Sequence, residues 1–243
     1  MDVRRPDLRQ PFPRQFAKRL TGQAVLALSR RAKYLLALLS SNETLLMHLG
    51  MSGWVRVARP EAPTQPHDHV VFHLSSGKNV VFNDPRRFGL IDLIPPGQLE
   101  RHPALSRLGP EPLSDDFGPV GLARACRGKK VSLKAALMDQ RVVAGLGNIY
   151  TAEALHVAGL SPLRRASTLA TPAGAPRESA HRLVSAIKQV LTRAIARQSS
   201  DRDDRFIVYE REGQPCSKRN CVGTIRRRTQ SGRSTFYCPV CQR

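Results

Sequence analysis

Four cysteines near the C-terminus have the most specific chemistry of any residues in this chain. They form a Cys-x4-Cys pair and a Cys-x2-Cys pair: Cys216, Cys221, Cys238 and Cys241. Two such pairs are typical of a structural zinc site in which four thiolates hold one Zn²⁺ ion. A disulfide pair in a secreted protein is the alternative. The chain begins MDVRRPDL, without an apolar signal region, which favours reduced thiols in the cytoplasm and therefore zinc.

The segment that contains these cysteines is strongly basic. From Pro215 onward it has no acidic residue and carries these cationic residues: Lys218, Arg219, Arg226, Arg227, Arg228, Arg233 and Arg243. A hairpin this short buries too little apolar surface to fold alone, so bound metal would supply much of its folding free energy. The chain of 243 residues has a formal net charge of +20, and a charge of this size attracts a polyanion. Nucleic acid is therefore the expected partner.

Short apolar runs separated by turn residues recur from Thr21 to about Leu93. The runs are Ala24 to Leu28, Tyr34 to Leu39, Thr44 to Leu49, Val70 to Leu74 and Val80 to Phe82. The triplets Ser40-Ser41-Asn42 and Ser75-Ser76-Gly77 suit tight hairpin turns. This pattern predicts an antiparallel sandwich or barrel.

The middle of the chain changes to a helical period. We expect helices from Val131 to Gln140 and from Ile149 to Val157, with Gly159 as a C-terminal stop. A third, amphipathic helix has apolar residues at positions i, i+3, i+4 and i+7. These residues are Ala180, Leu183, Val184, Ile187, Val190, Leu191, Ala194 and Ile195. The fifth cysteine, Cys126, has no partner spacing and is expected to be a small buried residue.

Six sequence motifs occur in an order that is characteristic of one family. They are RRAKYLL from Arg30, HLGMSG from His48, HDHV from His67, DPRRFG from Asp84, DQRVVAGLGNIYTAEAL from Asp139 and SGRSTFYCPVCQ from Ser231. Together they resemble the bacterial formamidopyrimidine-DNA glycosylases over nearly the whole chain. The resemblance implies an α+β multidomain protein with an N-terminal antiparallel β-sandwich, a helix-two-turn-helix domain and a C-terminal zinc ribbon. We place these domains at residues 1–97, 98–206 and 207–243.

The resemblance also implies a function. Such a protein removes oxidised purines (formamidopyrimidine and 8-oxoguanine) from damaged double-stranded DNA, and then cleaves the abasic site by β,δ-elimination. We expect a monomer in the bacterial cytoplasm, associated with the nucleoid, since no apolar run approaches membrane-spanning length. An RNA-bound or ribosome-bound zinc-ribbon protein would share the basic charge and is an alternative.

A glycosylase must bring its target base out of the stack and fill the space that the base leaves. By resemblance, Met51, Arg86 and Phe88 fill this space. The Phe88 ring can act as a wedge, and Arg86 can offer paired donors to the estranged base. Ordinary core packing is the alternative for Met51 and Phe88, but the Asp-Pro start of DPRRFG favours a turn that presents its arginines outward.

Other basic and polar residues are expected to hold the DNA backbone. Asn148 lies at a turn between two helices, where its side chain and nearby amides can bind a phosphate, although helix capping is an alternative role. Lys129 and Lys134 are expected to contact phosphates, and a charge cluster that forms only a solvated face is the alternative. His67 matches a DNA-contacting residue of the family.

The resemblance assigns catalytic roles to two residues of this chain. Arg233, at the hairpin tip between the cysteine pairs, would bridge the phosphates beside the lesion and act as an acid in the elimination. Lys33 would contact a phosphate and take part in β-elimination. Because apolar Tyr34 and Leu35 follow it, we expect Lys33 to be partly buried in a strand, with a lowered pKa. A surface strand lysine is the alternative.

The chain departs from the family pattern in two places. The family's chemistry begins with an N-terminal proline and glutamate, whereas this chain opens with Met1-Asp2-Val3. Either the true start lies upstream with that catalytic pair, or the chain is a catalytically degenerate protein that binds damaged DNA. We favour the upstream start, because four leucines remain apolar on a sheet surface that the missing segment would cover: Leu26, Leu28, Leu36 and Leu38. The segment from Gln198 to Phe206 is also shorter than the family's lesion-capping loop.

Overall fold

The chain divides into two compact units, Met1–Ser106 and Arg107–Arg243. The computed structural model describes residues 1–198 and 206–243, so the interior of the expected lesion-capping segment lies outside the described residues. No helix in the described ranges combines the length and the apolar character that crossing a membrane requires.

The first unit is built from eight strands and one short helix. In chain order they are β1 Asp2–Val3, α1 Phe16–Leu20, β2 Val25–Arg31, β3 Tyr34–Leu39, β4 Thr44–His48, β5 Trp54–Ala58, β6 Asp68–His73, β7 Asn79–Asn83 and β8 Leu90–Ile94. They form two antiparallel four-stranded sheets, in the orders β1-β6-β7-β5 and β2-β3-β4-β8. Side chains of both sheets form one buried cluster, which includes Leu45, Met47, Val70, Phe82 and Ile91. The predicted β-sandwich is therefore confirmed.

The apolar runs of the sequence correspond to β2, β3, β4, β6 and β7, and the predicted turns join β3 to β4 and β6 to β7. Strands β5 and β8 were not predicted. β5 alternates apolar residues with Arg56 and lies at a sheet edge, so it lacks a continuous apolar run. The edge strand β2 exposes Leu26 (59%) and Leu28 (68%).

Antiparallel pairing brings several connections to one end of this sandwich. The turn after β2, the loop after β4 and the loop before β8 meet there, because Tyr34 pairs with His48 and His48 pairs with Leu90. In the other sheet, Asn83 at the end of β7 pairs with both Trp54 and Asp68, which begin β5 and β6. This end of the sandwich therefore carries the motif loops of the first unit.

In its described residues, 107–198 and 206–243, the second unit contains four α-helices, a short 3₁₀ helix at Ala166–Leu169 and a hairpin. The elements are α2 Pro119–Cys126, α3 Leu133–Met138, α4 Asn148–Ala158, α5 Glu178–Gln198, β9 Arg226–Gln230 and β10 Arg233–Tyr237. The helices share a buried cluster that includes Leu122, Leu137, Leu155, Leu183 and Ile187. The helical domain and the hairpin match the predicted fold.

The helices differ from the sequence prediction in detail. α2 was not predicted, although Cys126 at its end is fully buried as expected. α3 is shorter than expected, because Ser132 caps its N-terminus through a bond from the Ala135 amide. Gly159 ends α4 in the left-handed region at φ 68°, as predicted. The apolar stripe of α5 does not stay buried to its end, since Ile195 is 57% exposed.

Candidate functional site

Two motif loops of the first unit are in direct backbone contact. Gly50 adopts φ 68°, and a Cβ atom at this position would lie 2.5 Å from the backbone carbonyl carbon of Phe88. Only glycine fits such an approach without a shift of the backbone. The loop from Leu49 to Gly53 and the loop from Asp84 to Gly89 therefore form one surface, which we call the wedge loops.

A buried carboxylate fixes the shape of the wedge loops. The Asp84 side chain accepts hydrogen bonds from the Ser52 hydroxyl and the Gly89 amide, each at 2.7 Å. Ser52 Oγ in turn accepts from the Arg86 amide at 3.1 Å. Because Asp84 is fully buried, these bonds are shielded from water and hold both loops in one arrangement.

The side chains at the tip of the wedge loops point into solvent. Met51 is 63% exposed and Phe88 is 44% exposed, so core packing does not account for either residue. The guanidinium of Arg86 lies over the Phe88 ring, 4.7 Å from its centroid. This cation–π contact joins the apolar ring and the hydrogen-bond donors in one projecting group.

His67 lies next to the wedge loops, just before β6. It is exposed and has φ 70°, and its carbonyl accepts a 3.1 Å bond from the Asp84 amide. The next residue, Asp68, is held by Arg56 through two bonds of 2.7 Å and by Asn83 at 2.9 Å. The bonds from Arg56 hold the pKa of Asp68 well below its usual range. These contacts fix the backbone that presents the His67 imidazole.

The structure corrects the expectation for Lys33. This residue is exposed and lies on the two-residue turn between β2 and β3, so it is neither in a strand nor partly buried. The positive charge of Lys33 nevertheless acts on His48, the residue that directly precedes the wedge loops. Burial lowers the pKa of His48, and the positive charges of Lys33 and Arg9 lower it further. His48 Nδ1 accepts the Gly50 amide at 2.9 Å, which places Lys33 on the same end of the sandwich as Met51.

In the second unit, the backbone beside Arg233 is fixed by two side chains. Arg233 is exposed at the start of β10. The carbonyl of the next residue, Ser234, accepts bonds from Lys134 Nζ at 2.9 Å and from Asn148 Nδ2 at 3.1 Å. We call Arg233 with these three residues the fingertip cluster.

Lys134 is buried, so it does not lie on a solvated face, and its ammonium is turned toward the hairpin instead of toward solvent. The residue is only 2% exposed, and its ammonium also donates to Thr235 Oγ1 at 2.6 Å. Burial and the nearby charge of Arg233 lower the pKa of Lys134 to about 8. Its ammonium holds the hairpin that carries Arg233. This contact joins residues about one hundred positions apart, so no local sequence pattern indicates it.

Asn148 is the first residue of α4, and Gly147 occupies the cap position without a side-chain bond. The first amides of the helix therefore have no acceptor within it, and the helix dipole makes this end positive. Asn148 does not cap the helix through its side chain, which was the alternative prediction. The helix end can instead receive an anion.

Lys129 lies before α3 and is partly exposed. No hydrogen bond joins it to Asn148 or Arg233 in the described residues. A hydrogen bond from Arg141 lowers the pKa of Asp139, and the positive charge of Lys129 contributes to this shift. Asp139 lines a cavity of about 400 Å³ together with Lys134 and Arg233. Lys129 therefore adds positive potential near the fingertip cluster.

The four cysteines are arranged as a metal site requires. All four sulfurs lie within 4.8 Å of one another, with Cys216 to Cys241 at 3.7 Å and Cys221 to Cys238 at 3.6 Å. A tetrahedral Zn²⁺ ion with bonds of about 2.3 Å separates its sulfurs by about 3.8 Å. These separations fit zinc and are too long for disulfides. Four thiolates leave no open position, so such an ion would be structural.

Helix α4 connects the hairpin to the helical domain through two residues that the sequence analysis missed. The buried carboxylate of Glu153 accepts the amides of Ile207, Val208 and Tyr209, each at 2.9 Å. Nε2 of the buried His156 lies 3.2 Å from the Cys216 sulfur. The signal was present, since α4 is predominantly apolar and buried, and polar residues in such a helix need partners.

Comparison with known proteins identifies relatives over the whole chain. Residues 1–91 match the model of the formamidopyrimidine-DNA glycosylase N-terminal domain, and residues 108–204 match that of the formamidopyrimidine-DNA glycosylase H2TH domain. The chain is 56% identical to the formamidopyrimidine-DNA glycosylase of Bradyrhizobium sp. (strain ORS 278), over all of this chain and 91% of the relative. It is 53% identical to that of Azorhizobium caulinodans, with the same coverage.

Solved structures agree with these sequence matches. A structure of MutM in complex with DNA that contains carbocyclic 8-oxo-G superposes with a TM-score of 0.85 at 33% identity, covering 94% of this chain and 85% of that one. The Lactococcus lactis formamidopyrimidine-DNA glycosylase, bound non-covalently to DNA with an abasic site, gives a TM-score of 0.84 at 32% identity and the same coverage.

Proposed function

The chain belongs to the formamidopyrimidine-DNA glycosylase family, and we propose that it acts as a monomer in base-excision repair on duplex DNA that carries oxidised purines or abasic sites. The observation that supports the proposal is the stacked pair of Phe88 and Arg86 on the wedge loops, which we call the wedge. An exposed Phe88 ring lies beneath the Arg86 guanidinium on a loop that a buried aspartate makes rigid. Because the loop is already rigid, little free energy is needed to reorganise it when the ring enters a base stack.

The wedge loops account for recognition of the lesion. When a damaged nucleotide leaves the stack, Phe88 and Met51 fill the space with apolar surface, and Arg86 donates hydrogen bonds to the unpaired opposite base. A damaged or missing base is easier to unstack than a normal pair. The same contacts therefore favour lesions over intact DNA, without a sequence-specific readout.

The fingertip cluster accounts for binding of the DNA phosphate backbone. Arg233 offers a planar, doubly donating group to phosphates, and the first amides of α4 offer an anion site near it. Lys129 and His67 add contacts that position the duplex. Zn²⁺ held by the four cysteines would brace the hairpin, because this hairpin has only a small apolar cluster of its own.

Strand cleavage at an abasic site is the chemical step for which this chain contains candidate groups. Lys33 has a primary amine on an exposed turn at the wedge end of the sandwich, and such an amine can form an imine with the sugar aldehyde. Imine formation releases water and acidifies the adjacent C2′ carbon. A C2′ proton then passes to water, a double bond forms between C2′ and C3′, and the bond from C3′ to the phosphate oxygen breaks, so that the 3′ phosphate leaves by β-elimination. Arg233 would stabilise the phosphate charge that develops.

The exposed amine of Lys33 also supports a second candidate function, because an imine with an abasic sugar does not require prior release of a base. The second candidate is a protein that binds damaged DNA and cleaves abasic sites without releasing bases.

Borohydride trapping with two duplexes tests both proposals. We expect the chain to form a covalent adduct through Lys33 with a duplex that contains an abasic site, and the adduct should be lost in Lys33→Met. On an 8-oxoguanine duplex, base release would support the full glycosylase, and trapping of abasic DNA alone would support the second candidate. Equal binding to intact and lesion-containing duplexes, with no adduct on either, would contradict both.

A further inference from the structure

His156 is a buried histidine that none of the proposed DNA contacts uses. It lies in the second half of α4 and is only 3% exposed. Its Nε2 atom lies 3.2 Å from Cys216 Sγ and 3.9 Å from Cys241 Sγ. The imidazole therefore faces the cluster of sulfurs from outside the hairpin.

The number of sulfurs decides how this imidazole interacts with a bound ion. Four cysteine sulfurs at tetrahedral spacing complete the coordination of Zn²⁺, so the histidine is left as an outer neighbour. A metal-bound thiolate has no proton to donate. The contact with Cys216 is then a hydrogen bond in which Nε2–H donates to the sulfur.

A hydrogen-bond donor beside the cysteine sulfurs stabilises their negative charge. One Zn²⁺ ion with four thiolates carries a net charge of −2, and N–H groups around the sulfurs spread this charge. The ribbon supplies the amide of Lys218 to Cys216 and the amides of Val240 and Cys241 to Cys238. His156 adds a donor that belongs to the helical domain.

We propose that His156 is a positioning residue of the metal site, whose Nε2–H donates to the Cys216 thiolate, slows loss of the ion and anchors the zinc-bearing hairpin on α4. The other end of the same helix donates from Asn148 to Ser234, next to Arg233. One rigid helix of 11 residues thus links retention of the metal to placement of the fingertip arginine. The inference rests on the zinc site and is independent of any catalytic step.

The test measures zinc release from the intact, DNA-free chain into a chromophoric chelator at neutral pH. His156→Phe keeps a ring but has no N–H, whereas His156→Gln keeps an N–H donor. His181→Phe, at an exposed position of α5, is the matched control. Loss of an outer-sphere partner typically costs about 10- to 100-fold in metal affinity. We expect release to be faster by about this factor in His156→Phe and close to wild type in the other two variants.

Substitution of cobalt for zinc supplies a spectroscopic measurement that a change in packing alone would not alter. We expect the sulfur-to-cobalt charge-transfer band to shift to lower energy in His156→Phe, because a thiolate without its donor is a stronger electron donor. The band should stay in place in His156→Gln. Wild-type release and an unshifted band in His156→Phe would overturn the proposal. Equal changes in the Phe and Gln variants would also overturn it, since they would point to packing alone.

A measurement on the wild-type chain keeps the proposal testable if His156→Phe does not fold. With a spin-active cadmium isotope in the site, nuclear magnetic resonance detects scalar coupling across an N–H to sulfur bond. We expect coupling between the metal and the His156 Nε2–H proton. The Lys218 amide serves as the internal control, and coupling there without coupling at His156 would overturn the assignment. A chain that binds no metal at all would instead refute the zinc site itself.

Discussion

The side chains of Phe88 and Arg86 combine an apolar ring and a hydrogen-bonding guanidinium in one projecting group. The ring alone would be an exposed apolar group without direction, and the guanidinium alone would be a flexible cation. Stacked at 4.7 Å, each restricts the other, and the Asp84 carboxylate fixes the loop beneath them. The sequence predicted the outward turn at DPRRFG but not the hydrogen bonds that the Asp84 carboxylate accepts from Ser52 and Gly89, because a carboxylate after a strand does not indicate which donors it will meet.

Replacement of Phe88 by Ala tests the wedge. We expect affinity for a duplex with an abasic analogue to fall by about 10- to 100-fold, since loss of one base–aromatic contact typically costs about 1–3 kcal/mol. The melting temperature should hardly change, because the ring is 44% exposed. Leu74→Ala is the control, since Leu74 is 42% exposed at the other end of the sandwich. Equal losses in both variants, measured by fluorescence anisotropy, would rule out a specific wedge.

Replacement of Arg233 by Ala tests the phosphate contact. We expect weaker binding to every duplex, and a salt dependence of the binding constant whose slope is lower by about 1, as for the loss of one phosphate contact. Lys78→Ala removes the same charge from an exposed turn after β6 and is the control. A slope that changes equally in both variants would mean that Arg233 contributes only net charge.

Lys134 should make stability depend on pH in a narrow alkaline window. Its folded pKa of about 8 lies below the ordinary lysine pKa of 10.5, because burial and the positive charge of Arg233 disfavour the ammonium. The unfolded chain therefore binds more protons between these values, and the free energy of unfolding rises with pH across the window. Urea unfolding should show wild type gaining about 1–3 kcal/mol relative to Lys134→Met from pH 8 to 10.5. Parallel curves for the two proteins would contradict the buried ammonium.

At the scale of elements, the sequence predicted what depends on local pattern. Apolar runs correspond to β2, β3, β4, β6 and β7, and Gly159 ends α4 as expected. The missed elements lack such a pattern. β5 is an edge strand with alternating exposure, and α2 has only eight residues and begins at a proline. The placement of Lys33 on a turn was missed because RRAKYLL has no glycine or asparagine to mark the turn.

The polar residues of α4 were also beyond the sequence analysis, for a different reason. Asn148, Glu153 and His156 all bond to segments that lie more than fifty residues away in the chain. Spacing within a helix indicates which face a residue occupies but not which distant backbone it meets. The six motifs, by contrast, identified the wedge loops and the fingertip because they carry the family pattern.

Glu153 gives a prediction for the connection between α4 and the ribbon. Glu153→Ala leaves three amides without their acceptor, and we expect a loss of about 3 kcal/mol or more in the free energy of unfolding of the second unit. Glu153→Gln keeps one oxygen and should lose less. Glu178→Ala, at an exposed position of α5, should lose almost nothing. Chemical denaturation that gives similar values for all three variants would contradict this role of the carboxylate.

At the scale of the whole molecule, the net charge and the metal site contribute to DNA binding in different ways. The net charge of +20 draws the chain to any duplex, and salt screens this attraction. We propose that preference for a lesion depends on the wedge loops and that binding of the DNA backbone depends on a hairpin that has only a small apolar cluster. The charge composition predicted a polyanionic partner from the sequence, and the six motifs narrowed this partner to damaged DNA, whereas the contact between the two wedge loops is visible only in the structure.

The affinity of the zinc-loaded chain for two matched duplexes, one intact and one with a central abasic analogue, tests the central claim most directly. At one fixed salt concentration we predict binding at least about 10-fold tighter to the abasic duplex, because unstacking costs a few kcal/mol less there. Removal of zinc should abolish this binding while the first unit stays folded. Equal affinity for both duplexes, or undiminished binding by the zinc-free chain, would contradict the account.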